Sequence, residues 1–185
     1  MTAPVERSAV SRIPPSRRTV EAMIRVDQAG EYGAKVIYEG QLAVLGDRAP
    51  AAREIAAMAA QEQRHLDWFD AEITRRGVRP TLLQPVWRVA GHALGAVTAA
   101  MGPEAAMACT VAIETEIDRH YGEQLDELGD DEPDLADAIR RFRAEEQEHR
   151  DTALAAGAEN SPGYPLLSAA IRAGCRVAIA LSKRI

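Results

Sequence analysis

The sequence predicts an all-α protein, namely a four-helix bundle with two additional helices. No stretch shows the sustained alternation of apolar and polar residues that is typical of strands. Long segments instead carry apolar residues at helical spacing, and glycine, proline or acidic residues stand at their ends. An internal repeat is also visible, because Glu62–Asp67 (EQRHLD) is echoed 84 residues later by Glu146–Asp151 (EQEHRD).

The helical segments follow in order along the chain. Residues 1–16 are rich in proline, serine and arginine and are predicted to form a flexible N-terminal segment, followed by a single domain over residues 17–185. The bundle helices are predicted at about residues 19–45, 51–76, 104–128 and 133–156. Two more apolar helices, over about residues 83–101 and 166–183, are additions to the repeat.

Charge and hydropathy favour an anionic membrane surface as a partner and argue against nucleic acid. The formal net charge is −6, whereas nucleic-acid binding needs a concentrated basic face. Both chain ends are nevertheless basic, and the last helix combines apolar residues with Arg172 and Arg176, one turn apart. We expect this helix to lie in the membrane interface with its arginines reaching lipid phosphates. Packing against the bundle or a partner is the alternative.

The cellular location follows from the same features. Cys109 and Cys175 stand in no metal-binding or redox spacing, which favours a reducing, cytosolic setting. The longest apolar stretch, Val89–Met101, is too short to span a bilayer. The expectation is a peripheral membrane protein on the cytoplasmic face of the cell membrane, or on an equivalent inner-membrane surface.

Each half of the repeat carries a glutamate, then about thirty residues, then Glu-x-x-His. Residues three apart on a helix lie on nearly the same face, so each Glu-x-x-His offers one oxygen and one nitrogen to a shared point. This pattern matches the ligand set of ferritin-like di-iron and di-manganese bundles. The predicted metal ligands are Glu31, Glu62, His65, Glu114, Glu146 and His149.

Charge balance supports this interpretation. Four glutamates neutralise two divalent ions, which avoids an unpaired charge in the core. Oxygen and imidazole ligands suit iron or manganese, whereas zinc would fit without activating dioxygen. A single Glu-x-x-His usually lies on a solvated helix face, but two copies at matched positions favour metal binding.

Other polar residues lie near this face. Four of them are either hydrogen-bond partners of the ligands or ordinary interface residues: Asp27, Tyr38, Asp118 and Tyr121. Glu145 is placed to accept a hydrogen bond from the outer nitrogen of His65, with the uncharged Gln61 as its counterpart. Gly30 and Gly33 either leave space beside the metal or allow close helix packing.

Several segments together resemble the demethoxyubiquinone hydroxylase family. Arg25–Ala34 (RVDQAGEYGA) is similar to its opening signature. The other similar segments are Cys109–Glu114, His120–Tyr121, Phe142–His149 and Ala173–Ile179. The likeness runs from about residue 24 to residue 183. Arg150 departs from it, since some members carry a histidine at that position.

This resemblance implies a monooxygenase of ubiquinone biosynthesis that hydroxylates the ring of demethoxyubiquinone, or of its quinol, with dioxygen. It implies two iron ions on the same six ligands, NADH as reductant, and electron delivery through His120 and Tyr121. The implied substrate is a quinone precursor whose isoprenoid tail keeps it in the bilayer, and other ubiquinone-biosynthesis proteins are candidate partners. The sequence contains no glycine-rich nucleotide-binding fingerprint.

Three other functions share some of these features. Iron storage, as in ferritins, uses the same bundle but is not expected to need two apolar helices. A tRNA hydroxylase or a rubrerythrin-type peroxidase is the second, although the latter usually carries a cysteine-rich iron domain that two cysteines cannot supply. A membrane-bound scaffold without catalysis is the third, and it leaves six regularly spaced ligands unexplained.

Overall fold

The computed structural model describes residues 14–46 and 50–185. These residues form six α-helices and one short 3₁₀-helix, with no strand among them, so the predicted all-α class is confirmed. The helices are α1 (Arg17–Leu45), α2 (Pro50–Arg76), α3 (Gln84–Ala100), α4 (Pro103–Leu128), α5 (Pro133–Ala155) and α6 (Tyr164–Ser182), and the 3₁₀-helix is Ala158–Asn160. The predicted flexible segment falls mostly on residues 1–13, which lie outside the described residues.

Local sequence explains where the helices begin and end. The hydroxyl of Ser16 accepts a hydrogen bond from the backbone N–H of Thr19 at 3.1 Å, so α1 begins two residues earlier than predicted. A proline stands in the first turn of each helix from α3 to α6, where its missing N–H costs nothing. Gly46 and Gly129 follow α1 and α4 with φ angles of 66° and 54°, which glycine adopts without a steric penalty.

The two halves of the repeat form two helix pairs. α1 packs on α2 and α4 packs on α5, while α3 lies mainly on α1 and α6 mainly on α4. Two apolar clusters fill the core. One contains Ile37, Tyr38, Ile55, Met58 and Ile113 among others, and the other contains Ile24, Phe69, Tyr121, Leu135 and Ile139 among others. Along every bundle helix the predicted metal ligands lie between these clusters, so the fold encloses a polar layer within an apolar core.

α3 approaches α1 closely enough for their backbones to touch. A Cβ atom added at Gly95 would lie 2.0 Å from the carbonyl oxygen of Ile37, and one added at Gly40 would lie 2.2 Å from the carbonyl oxygen of His92. No side chain fits at either position, because the neighbouring atoms belong to the backbone and cannot turn away. These glycines therefore allow the backbones of α3 and α1 to pack in direct contact.

A buried carboxylate joins α6 to α4. Glu116 is fully buried and accepts hydrogen bonds from Nε of Arg172 at 2.7 Å, from Arg176 at 2.9 Å and from Nε of Arg119 at 3.0 Å. The structure therefore does not place Arg172 and Arg176 where the sequence suggested, since both heads turn to the bundle rather than to lipid phosphates. A buried carboxylate needs such partners to offset the loss of its hydration.

We expect Glu116→Gln to lower the free energy of unfolding by roughly 2 kcal/mol, because the arginines lose their charged partner. Burial alone raises the pKa of Glu116, but hydrogen bonds from Arg172 and Arg119 outweigh it and lower that pKa. The stabilisation is therefore present at neutral pH and is lost as the pH falls through the lowered pKa. Denaturant unfolding of the two proteins at several pH values measures both effects.

The matched control is Glu123→Gln, which removes an exposed carboxylate that also binds Arg119 on α4. We expect no measurable loss of stability in this variant. Detachment of α6 is followed by Trp87 fluorescence in a Trp68→Phe background, because the indole N–H of Trp87 donates to Ser182 of α6 at 3.0 Å. Equal stability of the Glu116 and Glu123 variants would contradict this account.

The outer sides of α3 and α6 expose apolar side chains. The most exposed of these are Val86, Val89, Val97, Leu166, Val177 and Leu181. Among the residues that the structure describes, α6 is the one helix long and apolar enough to cross a membrane, judged by length and composition, and 11% of that stretch is buried.

Candidate metal centre

The structure brings all six predicted ligands together in the polar layer of the core. α1 and α4 each supply one glutamate, and α2 and α5 each supply a glutamate and a histidine; none of the six residues is more than 4% exposed. Their ligand atoms form two groups, each lying within 4.8 Å of one another. The groups are Glu31, Glu62, His65 and Glu146, and Glu62, Glu114, Glu146 and His149. Glu62 and Glu146 belong to both groups and so lie between two metal positions.

Both imidazole rings direct Nδ1 toward the carboxylates. Nδ1 of His65 lies 3.0 Å from Glu146 and 3.3 Å from Glu31. Nδ1 of His149 lies 3.1 Å from Glu146 and 3.2 Å from Glu62. The outer Nε2 atom of His65 faces an oxygen of Glu145, and that of His149 faces the amide oxygen of Gln61. Both partners are acceptors, so the proton of a neutral ring belongs on the outer nitrogen. The inner nitrogen then presents a lone pair, as a metal ligand must.

The carboxylates themselves fit a pair of divalent ions. Both oxygens of Glu62 and one oxygen of Glu114 accept no hydrogen bond, although they are buried. A buried anionic oxygen without a partner is costly, and a bound cation removes that cost. Oxygen and imidazole donors around two adjacent positions can therefore hold a metal pair.

The electrostatics of the cluster agree with this conclusion. Burial and the neighbouring carboxylate of Glu146 raise the pKa of Glu62 and of Glu114 well above the usual range. Burial opposes the protonation of His65, but the nearby carboxylates of Glu146, Glu31 and Glu62 outweigh it and raise the pKa of its imidazole. The raised pKa values of Glu62, Glu114 and His65 favour their protonated forms, which lowers the negative charge of the cluster. Divalent ions would replace these protons.

Two buried tyrosines bind Glu31 and Glu114, the terminal glutamates, each of which belongs to only one of the two ligand groups. The arrangement is crosswise. Tyr38 of α1 donates its hydroxyl hydrogen to Glu114 of α4, and Tyr121 of α4 donates to Glu31 of α1. Both the tyrosines and the glutamates are separated by 83 residues, so the hydrogen bonds repeat the internal duplication. Of the two roles that the sequence left open for these tyrosines, the structure supports hydrogen bonding to the predicted ligands.

The two aspartates of the same prediction behave differently. Asp27 accepts a hydrogen bond from Gln124 at 2.8 Å and lies 3.4 Å from Nε2 of His120. Asp118 lies at the edge of the bundle and accepts hydrogen bonds from Arg143 at 2.7 Å and Gln147 at 2.8 Å. Neither is hydrogen-bonded to a predicted ligand. Sequence reasoning missed Gln124, although it lies one turn after His120 on the same helix face.

Outside the two histidines lies a pair of polar residues. Nε2 of His65 is 2.9 Å from Oε2 of Glu145, which confirms the predicted hydrogen bond. Nε2 of His149 is 3.2 Å from Oε1 of Gln61. The amide of Gln61 also donates to Glu145, a contact that the sequence did not predict.

An apolar cavity of about 530 Å³, open on one side, lies beside the centre and is lined by α1, α3, α4 and α6. Gly30, which precedes Glu31, and Ile113, which precedes Glu114, contribute to its wall. A Cβ atom at Gly30 or at Gly33 would meet no atom within 4 Å. Of the two roles proposed for these glycines, the structure supports the one that leaves space.

The bundle and its two buried carboxylate–histidine groups define the class of ferritin-like helical bundles whose core can hold a metal pair. The family model described as "Ubiquinone biosynthesis protein COQ7" matches residues 18–182. The chain belongs to this family, which confirms the resemblance found in the sequence.

Named relatives support the same assignment. The chain is 54% identical over 166 residues to the 3-demethoxyubiquinol 3-hydroxylase of Rhodospirillum rubrum, which covers 90% of this chain and 78% of that protein. It is 49% identical over 174 residues (92% of this chain and 80% of the relative) to the mitochondrial NADPH-dependent 3-demethoxyubiquinone 3-hydroxylase of Homo sapiens. It is 39% identical over 182 residues (90% and 78%) to the mitochondrial 5-demethoxyubiquinone hydroxylase of Saccharomyces cerevisiae. The human name specifies NADPH, where the resemblance implied NADH.

Proposed function

We propose that this chain is a monooxygenase that hydroxylates the ring of a demethoxyubiquinol, or of the corresponding quinone, with dioxygen in ubiquinone biosynthesis. The observation that carries this proposal is the pair of buried ligand groups that share Glu62 and Glu146. Membership of the family and the names of the relatives support the substrate class. The adjoining apolar cavity supports a substrate that is largely hydrocarbon.

Two iron ions per chain are the proposed metals. An iron pair, when bound, supplies the redox chemistry that activates dioxygen. Glu62 and Glu146 stand between the two positions, and the tyrosine hydroxyls keep the terminal carboxylates in place. Phe142 packs against the ring of His65 with the ring centroids 4.2 Å apart, which helps to exclude water from one side of the site.

The cavity is the proposed binding place for the substrate ring and the first part of its isoprenoid tail. Its volume, about 530 Å³, falls within the usual range for small-molecule sites. It lies between α3 and α6, whose outer sides are apolar. A peripheral position on the cytoplasmic or inner-membrane surface, with these two helices in the interface, would let the ring enter while the tail stays in the lipid.

Gly30→Leu should fill the cavity next to the metal centre. We expect turnover of a long-tailed demethoxyubiquinol to fall by about 10-fold or more, because a leucine occupies volume that the substrate needs. Metal content, measured by elemental analysis, should stay at the wild-type value. Ala43→Leu is the matched control, since it adds a similar side chain to an exposed position of α1. Unchanged turnover in the Gly30 variant would show that the substrate does not bind in this cavity.

Electron delivery through His120 and Tyr121 is the proposed route for reduction. The two rings lie 6.5 Å apart between centroids, and Tyr121 is hydrogen-bonded to Glu31, so this pair leads to the centre. The proposed donor is a reduced nicotinamide dinucleotide. Parallel assays with NADH and NADPH decide between the two forms.

Tyr121→Phe and Tyr38→Phe form a matched pair, because each removes one hydroxyl from one terminal glutamate. Only Tyr121 is adjacent to a histidine, so we expect Tyr121→Phe to slow reduction by the nicotinamide about 10-fold more than Tyr38→Phe. With dithionite as reductant the two variants should behave alike. Stopped-flow reduction of the iron-loaded proteins measures these rates. Equal slowing by the nicotinamide would show that both tyrosines act only as hydrogen-bond partners.

Product analysis tests the proposed function directly. Iron-loaded and metal-free proteins are incubated in air with a short-tailed demethoxyubiquinol and either nicotinamide, and the products are separated by chromatography. We expect a hydroxylated quinol from the loaded protein alone. Oxidation of added iron without any hydroxylated product would favour iron storage instead.

A further inference from the structure

The internal repeat makes the two sides of the metal centre almost identical. The matched pairs are Glu31 with Glu114, Glu62 with Glu146, His65 with His149, and Tyr38 with Tyr121. The residues that contact the outer nitrogens of the histidines break this symmetry. Glu145 is a carboxylate, whereas Gln61, at the corresponding position 84 residues earlier, is an amide.

These two residues link the histidines in a continuous chain of contacts. Nε2 of His65 lies 2.9 Å from Oε2 of Glu145, and Nε2 of His149 lies 3.2 Å from Oε1 of Gln61. The amide nitrogen of Gln61 donates to Oε2 of Glu145. This bond fixes the orientation of the amide, because only its oxygen can then face His149. Glu145 therefore orients one histidine directly and the other through Gln61.

The two acceptors differ in strength. A hydrogen bond to a carboxylate is charge-assisted and about twice as strong as one to a neutral amide. A carboxylate behind a ligating histidine also raises the basicity of the ring and with it the affinity for a metal ion. The His65 side chain is only 1% exposed and that of Glu145 is 33% exposed, so solvent screens this contact in part. His149 receives only the weaker, neutral interaction.

We propose that Glu145 makes the two metal positions unequal, so that the position formed with Glu31 and His65 binds a divalent ion more tightly than the position formed with Glu114 and His149. Glu145 and Gln61 are then positioning residues that set the order in which the centre fills. This inference rests on the proposed metal centre, but not on the substrate or on the reaction.

A second asymmetry lies on the same side of the centre and must be separated from the first. Asp27 and His120 lie 3.4 Å apart, and Thr110 and Ile37 occupy the corresponding positions in the other half. Neither Asp27 nor His120 has a hydrogen bond to a predicted ligand. A reciprocal exchange of Gln61 and Glu145 leaves this pair untouched and so isolates the effect of Glu145.

The test uses single-ion binding in two half-site variants. His149→Ala leaves the position with His65, and His65→Ala leaves the position with His149. Anaerobic titration with Co²⁺, followed by its visible absorption, gives one dissociation constant for each. We expect the His149→Ala protein to bind Co²⁺ about 10- to 100-fold more tightly than the His65→Ala protein. In the Gln61→Glu/Glu145→Gln background the ranking should reverse.

The outcomes distinguish this inference from the metal centre itself. Equal affinities in the two half-site variants, or a ranking that survives the exchange, would overturn the role of Glu145. Failure of the wild-type protein to bind two Co²⁺ ions would overturn the metal centre and with it the proposed function. Circular dichroism and denaturant unfolding of each variant confirm that the bundle is intact, so a folding defect cannot imitate either result.

Discussion

Glu62→Gln will change the stability of the metal-free and metal-loaded proteins in opposite directions. In the metal-free protein Glu62 is fully buried and neither of its oxygens accepts a hydrogen bond. Burial and the carboxylate of Glu146 raise its pKa well above the usual range, so the charged form is destabilised. A neutral amide of the same size removes this repulsion. We expect the metal-free variant to be more stable than wild type by roughly 1–3 kcal/mol.

The metal-loaded protein should show the reverse effect. Glu62 belongs to both ligand groups, so its loss weakens both metal positions at once. We expect metal affinity to fall by roughly 100-fold or more, and hydroxylation to be lost with the metal. Wild type should gain thermal stability when iron is added, because the ions bind only the folded state, and the variant should not.

Thermal unfolding with and without iron, together with metal analysis, measures both effects. Glu116→Gln serves as the control, since it removes a buried carboxylate outside the centre and should destabilise both forms. A Glu62→Gln protein that still binds two ions, or that is less stable than wild type without metal, would contradict the role assigned to this residue.

Gly95→Ala should be the most disruptive single-methyl change in the bundle. The new Cβ would lie 2.0 Å from the carbonyl oxygen of Ile37 and 3.0 Å from the backbone nitrogen of Gln41. Backbone atoms cannot rotate out of the way, so α3 must move off α1. The higher helix propensity of alanine, worth about 1 kcal/mol, does not offset this strain. We expect the free energy of unfolding to fall by roughly 2–4 kcal/mol.

Gly33→Ala is the matched control on α1, because its Cβ would meet no atom within 4 Å. The same propensity difference should leave this variant as stable as wild type, or more stable by up to about 1 kcal/mol. Denaturant unfolding measures both changes. α3 also forms one wall of the cavity through Gly91 and Leu94, so Gly95→Ala should lower turnover as well. Equal stability of the two variants would mean that α3 is not held by backbone contact.

The metal ligands could be found in the sequence because helical spacing is a local property. Glu-x-x-His places its two side chains on one helix face whatever surrounds it, and the internal repeat supplied a second, independent copy. The hydrogen bond between Glu145 and His65 was predictable for the same reason, since Glu145 directly precedes a ligand. Helix ends were accurate to about two residues.

Contacts between distant helices could not be predicted in this way. Glu116 and Arg172 are 56 residues apart, and no local pattern marks them as partners. Without that contact the arginines of α6 resembled lipid-binding residues. The crossing of α1 and α3 at Gly40 and Gly95 is likewise set by the approach of two backbones. The helical angle of Asp118 left open whether it bonds the ligands or lies at a helix interface, and its partners Arg143 and Gln147 on α5 decide for the interface.

Isotope tracing of the product oxygen shows whether dioxygen supplies the new hydroxyl group. Iron-loaded protein is incubated with a short-tailed demethoxyubiquinol, a reduced nicotinamide and isotopically labelled dioxygen, and the product is analysed by mass spectrometry. We expect one labelled oxygen atom in the ring of the product, and none when the Glu62→Gln protein is used. An unlabelled hydroxyl group, or no hydroxylated product from a protein shown to hold two iron ions, would rule out the proposed monooxygenase function.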